Sequence, residues 1–559
     1  MTTFLAPAAV PAGGAVTVTA TSVTDATKSA QAIVNITGTA SLASLNGHYA
    51  FLVQSPTGSR GTATWVGSVI LDGTGKVSGG VEDVVSPTRD DQNDPILATG
   101  ATNPNTHLPS VSAYSVDPSG HGQIIMSTLQ GETLTISFEI TSGNSSGVTT
   151  HAEVIEADGT GGEAGDPGSG SLDLQSTSAT ISGAYSFTVT GVNATSPYPV
   201  ISLGGVINVT NATTIGGSID TVFGGVFTSA SITQGNLLTG PDANLRGTFS
   251  IVAPGAPTPS HSFTYYAVSS KVLRIFDNGG SSFTGGSMYS QGSSPSTGLS
   301  NSYVYQHSGW STAGRTVAVG QLTASSGTIS GGFSDSNSGG KSAITPKTPT
   351  AVSGSYAASA TESGTINVTA FTDAAGSSTF NVYPVDPTLN ILDPNNSTGG
   401  GGALVLHTDA GINGTGILLP QVSPKVFSSN YAVNLLNAID TPTPNEVDLV
   451  GILTSDGSAN FTANLADYTQ ASVTPAPQID TPLSGTFTAD PNHSGRYTGS
   501  LSVTSLASGY SYPTAVSTPT ATKNTFNVAI YQATTSQAFV IETDNQAITI
   551  GQIVQQNLP

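Results

Sequence analysis

The feature that most constrains this chain is a fourfold internal repeat. Four segments share one order of motifs, each opening on a short strand centred on tyrosine: LNGHYAFLVQ (45–54), ISGAYSFTVT (181–190), LSNSYVYQHS (299–308) and FSSNYAVNLL (427–436). Successive opening tyrosines (Tyr49, Tyr185, Tyr303, Tyr431) lie 136, 118 and 128 residues apart. A strand–turn–strand block ending in aspartate follows: GSVILDGTGKVSGGVED (67–83), GGVINVTNATTIGGSID (204–220), GQLTASSGTISGGFSD (320–335) and GILTSDGSANFTANLAD (451–467). Asp-Gly and Ser-Gly pairs at the turns are hairpin chemistry, because tight turns need positive φ. Each segment closes with an apolar strand running into Asp158, Asp277, Asp409 or Asp544, then a glycine-containing strand running to Gln175, Gln291, Gln421 or the Gln-Gln pair at 555–556.

Apolar and polar residues alternate along these segments, turn signals recur every 8–15 residues, and helical periodicity never lasts beyond a turn or two. The fold class is therefore all-β, with about eight antiparallel strands per unit. Eight hairpin-linked strands leave two raw edges, and closing the sheet removes both. The up-and-down β-barrel is accordingly the first choice for each unit and the β-sandwich the second. The units span 45–175, 181–291, 299–421 and 427–556, after a separate segment at 1–40. Short polar links predict a row of beads. The third unit departs most from the pattern, through an Asn- and Gly-rich insertion at 390–402.

Composition narrows the function. Charged residues make up 8% of the chain, with 13 Lys+Arg against 34 Asp+Glu and a net charge of −21. Such a field repels phosphate backbones and argues against a nucleic-acid partner. The absence of cysteine excludes disulfides, thiolate catalysis and Cys-based metal sites. No stretch approaches the roughly 18 apolar residues of a membrane-spanning helix. The first residues, MTTFLAPAAVPAGG, lack the charged start and apolar core of a signal peptide, yet the composition looks exported. We expect an extracellular or cell-surface protein whose export signal lies upstream of this chain.

Two resemblances sharpen that expectation. The alternating strands AVTVTATSVTD (15–25) and KSAQAIVNITG (28–38), after LAPAAVPAGG, resemble the last two strands of a bacterial immunoglobulin-like domain. Followed by tandem units of the form Y-x-F, G-x-(6–8)-G-G-x-x-D, G-x-Y/F and I-E-x-D with a closing Gln, the chain resembles large repetitive secreted or surface proteins of environmental bacteria. The resemblance implies location and architecture but no chemistry.

Candidate reactive groups are few. GNSSG (143–147) matches the serine-hydrolase elbow at Ser145, but the real motif needs a strand-to-helix turn. The recurring aspartates Asp83, Asp220, Asp335 and Asp467, and Asp158, Asp277, Asp409 and Asp544, read first as strand-ending turn residues. Calcium needs six to eight clustered oxygens, and only DGTGGEAGDPGSG (158–170), with Asp158, Glu163 and Asp166, has local acid density. The eight histidines are scattered, whereas a zinc site needs several ligands to converge. Trp65 and Trp310 are candidate glycan-stacking platforms, with core packing as the alternative. The opening tyrosines are read as sealing the barrel ends, hydroxyls towards solvent. No catalytic residue or resident cofactor is assigned. The expected protein is a non-enzymatic surface spacer or adhesin contacting polysaccharide or cell-surface components, the alternative a β-barrel binding a small apolar ligand or a glycan.

Overall fold

A computed structural model describes residues 15–21, 24–25, 27–35, 39–55, 63–87, 89–158, 168–195, 198–280, 282–293, 298–311, 314–338, 348–396, 400–422, 426–439, 445–470, 478–503, 525–544 and 548–559. Among them the regular structure is strand throughout, apart from one 3-10 turn at Leu42–Ser44. Strands Ala15–Thr21 and Ser29–Asn35 pair antiparallel as a two-stranded sheet. The remainder forms four sheets, here units I to IV.

Units III and IV are closed eight-stranded barrels running up and down in sequence order. In III the first strand, Asn301–Ser311, pairs with the last, Asn413–Pro420; in IV, Asn430–Ile439 pairs with Ile548–Gln555. Units I and II make the same first-to-last pairing, Asn46–Ser55 with Ser169–Leu174 and Gly183–Asn193 with Ser282–Ser290. Their sheets are nine-stranded and open at one seam. In II the seam separates Val226–Ser231 from Gln234–Thr239; in IV one strand, Gln478–Ala489, runs on and carries the hydrogen bonds round. Barrel closure is thus complete in two units and interrupted in two.

Each unit has its own apolar interior, built from alternate residues of its strands. In units I, II and III, Phe51, Phe187 and Tyr305 of the first strand oppose glycines of the second. A Cβ on Gly67 would stand 2.3 Å from the Phe51 ring, so only glycine fits beneath it. The opening tyrosines close the ends differently from expectation. Tyr49 and Tyr185 are fully buried, and their hydroxyls donate to the Thr149 carbonyl (3.1 Å) and the Ser270 carbonyl (2.6 Å) of their own units. A buried phenol needs such a partner.

The row of beads is not what forms. The strands that open each unit are apolar on both faces, and a fifth apolar cluster joins outward residues of all four units, among them Leu52, Val206, Val304 and Ile550. Burying one such side chain is worth about 1.5–3 kcal/mol, so short links bring these faces together rather than leaving them wet. The contacts are cyclic: I packs on II, II on III, III on IV and IV on I. Residues 556–559 complete the circle. Asn557 pairs in parallel with Ser142, and its N–H donates to the Thr141 carbonyl at 2.7 Å.

Residues 389–396, at the start of the insertion in unit III, sit where the units meet. Leu389, Ile391 and Leu392 enter the shared cluster. The Ile391 carbonyl accepts from the Tyr289 hydroxyl of II (3.0 Å), Asn390 Oδ1 from Gln537 of IV (2.8 Å), and Asn395 donates to the Thr150 carbonyl of I (2.8 Å). What looks like a low-complexity loop in sequence is a plug touching the three other units.

Candidate functional site

The recurring aspartates of the second hairpin hold the circle together. Each lies buried at the edge of its unit and accepts hydrogen bonds from the next. Asp83 of I takes Nε and Nη2 of Arg246 in II, both at 2.8 Å, and the Tyr266 hydroxyl. Asp335 of III takes Nε (2.7 Å) and Nη2 (3.1 Å) of Arg496 in IV and the Tyr531 hydroxyl (2.6 Å). Arg246 and Tyr266 are directly opposed across neighbouring strands, and Arg496 and Tyr531 are opposed in the same way. The two-point guanidinium–carboxylate fork supplies direction as well as attraction.

The other two junctions vary the chemistry. Asp220 of II meets neutral donors of III, the Tyr383 hydroxyl (2.6 Å) and Asn381 Nδ2 (2.7 Å). Burial with no cation at hand raises its pKa above the ordinary carboxylate range. Asp467 of IV faces His121 of I, whose Nε2 is 3.2 Å from Asp467 Oδ1 and whose Nδ1 is 2.8 Å from Glu139 Oε1. His121 and Glu139 are opposed across their strands as the arginine and tyrosine are elsewhere. Burial pushes Glu139 up to about 7; it opposes protonation of His121, yet the flanking Asp467 and Glu139 draw the imidazole up to about 11.

The closing glutamines repeat the cycle. Nε2 of Gln175 donates to the Ala267 carbonyl of II, Gln291 to the Gly364 carbonyl of III, Gln421 to the Gln532 carbonyl of IV, and Gln556 to the Ile140 carbonyl of I, at 2.9–3.0 Å. A further buried group ties I to II: Arg274 donates to Asp173, which also holds His151 at 2.7 Å. Burial alone would raise Asp173, but Arg274 and His151 outweigh it and keep the carboxylate well below its usual range.

At the centre of the circle is a cavity of about 340 Å³ whose wall comes from all four units. The first strands converge on it: Leu52 and Gln54, Thr188 and Thr190, Gln306 and Ser308, and Leu436 occupy matching places after their opening tyrosines. Unit III contributes most of the chemistry. Arg315, Trp310 and Asn413 stand side by side on three adjacent strands, with the guanidinium carbon 5.9 Å from the Trp310 ring centre. Ser202 Oγ, Gln306 Oε1 and Asn413 Oδ1 are buried there with no hydrogen-bond partner among the described residues.

The candidates named from sequence fall as follows. Trp310 is half-buried on the cavity wall, whereas Trp65 is 2% exposed inside unit I. Asp158 accepts the Thr135 N–H at 3.1 Å, and Asp544 the Asn527 N–H at 2.8 Å, as strand-ending residues do. Glu163 and Asp166 lie outside the described residues, so the calcium candidate is seen only at Asp158. Ser145 stands in an Asn144–Gly147 turn between two strands, without a helix to follow. His307 and His407 touch at 3.1 Å inside unit III, and each also bonds an aspartate, Asp373 and Asp409 respectively. Missed from sequence were Glu139, Arg246 and Arg496, and the cavity itself; His121 was counted only among the eight scattered histidines.

Fold and site together define a class: a cyclic assembly of four antiparallel β units within one chain, latched by buried polar pairs around an axial cavity of mixed polar and apolar lining. No protein-family model and no curated protein matches the chain. Among solved structures it is similar to intact Ap-TbpB (N and C lobes), at 10% identity, over 75% of this chain and 86% of that one, with a TM-score of 0.17. A likeness at that score carries no argument about activity. No helix among the described residues is long and apolar enough to cross a membrane.

Proposed function

We propose that this is a non-enzymatic, extracellular surface protein of bacterial type, a rigid block that acts as spacer or adhesin, with its leading hairpin the end of an immunoglobulin-like domain. The observation that carries this reading is the cycle of buried latches, which makes four units one stiff body. Low charge and a skin of Ser, Thr and Asn suit contact with polysaccharide and cell-surface components. The edge strand Arg89–Ile96 at the seam of unit I runs into a loop at 97–107, which ends beside the exposed Leu108 and Val111 and offers a contact surface. Deleting the gene should reduce attachment of cells to polysaccharide-coated surfaces, and the purified chain should bind those surfaces. If the deletion strain attached normally and the chain bound neither cells nor polysaccharide, the adhesin reading would fail.

A second reading is favoured by the axial cavity. Its volume falls within the 300–1,000 Å³ range of ligand sites. An aromatic ring, a guanidinium and unpartnered amide oxygens match the alternating apolar and hydroxyl surfaces of a mono- or disaccharide. An apolar ligand inside a barrel has less to support it, since the space within unit III is only about 20 Å³. Calorimetry against a saccharide panel should find a binder whose affinity drops at least about tenfold, or 1.4 kcal/mol, in Trp310→Ala. Equal affinity in parent and variant would remove the cavity as the site.

A further inference from the structure

The junction between units IV and I breaks the charge pattern of its counterparts. At I–II and III–IV one buried aspartate faces one arginine and one neutral phenol. At IV–I the arginine place holds His121 and the phenol place holds Glu139, so two fully buried carboxylates, Asp467 and Glu139, share one imidazole. A third carboxylate is fixed beside them. The Asp480 N–H donates to Asp467 Oδ1 at 2.9 Å, from a backbone held at φ 55°, and its own Oδ1 stands 3.5 Å from His121 Nε2.

The geometry fits part of a coordination shell. One ligand atom each from His121, Asp467 and Asp480 lie within 4.8 Å of one another. Metal–ligand bonds of about 2.0–2.1 Å place tetrahedral ligands about 3.3 Å apart, and the 3.2 and 3.5 Å separations from Nε2 straddle that edge. Two independent observations point to a missing partner. Asp467 Oδ2 and Glu139 Oε2 are both buried without a hydrogen bond among the described residues. Glu139 also holds Nδ1 of His121, the carboxylate–histidine arrangement that turns Nε2 towards a metal.

We propose that this junction binds Zn2+ through His121 Nε2, Asp467 and Asp480, with Glu139 as a positioning residue and solvent completing the shell. A nitrogen donor and a small ligand set suit zinc, whereas calcium takes six to eight oxygens. Asp480, 61% exposed in its side chain, provides the route in. The ion would do for the closing junction what arginine does at two of the others, clipping together the units most distant in sequence.

The test uses the full chain, stripped with chelator and titrated with Zn2+, read by calorimetry and thermal melting. One equivalent should bind, and saturation should raise the melting midpoint by about 2–4 °C. Asp480→Asn, at an exposed ligand, should weaken binding at least tenfold and leave the metal-free midpoint unchanged. His121→Arg, which installs the residue of the equivalent junctions, should take up no zinc and melt identically with and without chelator. Failure of the parent to bind Zn2+ at tens of micromolar, or parent-like affinity in both variants, would overturn the proposal.

Discussion

Replacing Arg496 with methionine is expected to destabilise the protein by about 3–5 kcal/mol, the usual penalty for removing one partner of a buried ion pair. Arg496 is 4% exposed and its fork to Asp335 crosses from unit IV to unit III. Without it the Asp335 carboxylate stays buried with only the Tyr531 hydroxyl to hold it. The I–II latch makes the same arrangement with Arg246, and Arg246→Met should cost a similar amount. The double variant Arg496→Met, Asp335→Asn should regain part of the loss, because it removes the stranded charge along with its partner. The II–III junction shows that neutral donors can serve, since Asn381 and Tyr383 both donate to Asp220 Oδ2 there. Denaturant midpoints measured at constant slope give the comparison. A loss below about 1 kcal/mol, the value of a surface pair, would mean that the latch contributes little.

A large pH effect is expected at Glu82. Its side chain is buried, with Oε2 lacking a partner among the described residues. Burial pushes its pKa up to about 8; the nearby Arg89 opposes that rise, while Asp94 and Asp83 reinforce it. The unfolded chain releases this proton near the ordinary glutamate value, so between roughly pH 4.5 and 8 the folded state binds more protons. Stability from this group is therefore fully present below that window and is lost as pH rises through it. At about 1.4 kcal/mol per unit, the decline amounts to several kcal/mol. Glu139, pushed up to about 7, adds a smaller decline of the same sign. Glu82→Gln keeps the shape and removes the charge. It should match the parent at pH 4.5 and exceed it by about 2–4 kcal/mol at pH 8.5. Parallel stability–pH curves for the two proteins would exclude Glu82 as the source.

Much of the architecture was readable from local patterns. Alternation, Asp-Gly turns and the Tyr-to-Gln repeat led to all-β units with first and last strands paired. The same repeat also carried the interface residues, though not their purpose. Asp83, Asp220, Asp335 and Asp467 read as strand ends, and Asp83 does accept the Asn93 N–H at 2.7 Å as a turn aspartate would. Its second task, holding Arg246, depends on a residue 163 positions away. Strands such as YAFLVQ and VISLGGVINV are apolar on both faces, the pattern of a sheet covered on both sides. That pattern argues against separate beads.

What the amino-acid order determined by itself is everything set by neighbours within a hairpin: strand identity, turn positions, unit number and inward-facing cores, because these follow from side-chain alternation and local backbone preference. Only the tertiary structure decided which outer faces meet, how the last residues return to unit I, and which carboxylates gather around His121. Those outcomes rest on the angle at which one curled sheet packs against the next, and a small change in that angle would move Arg246, Arg496 and His121 out of reach of their aspartates.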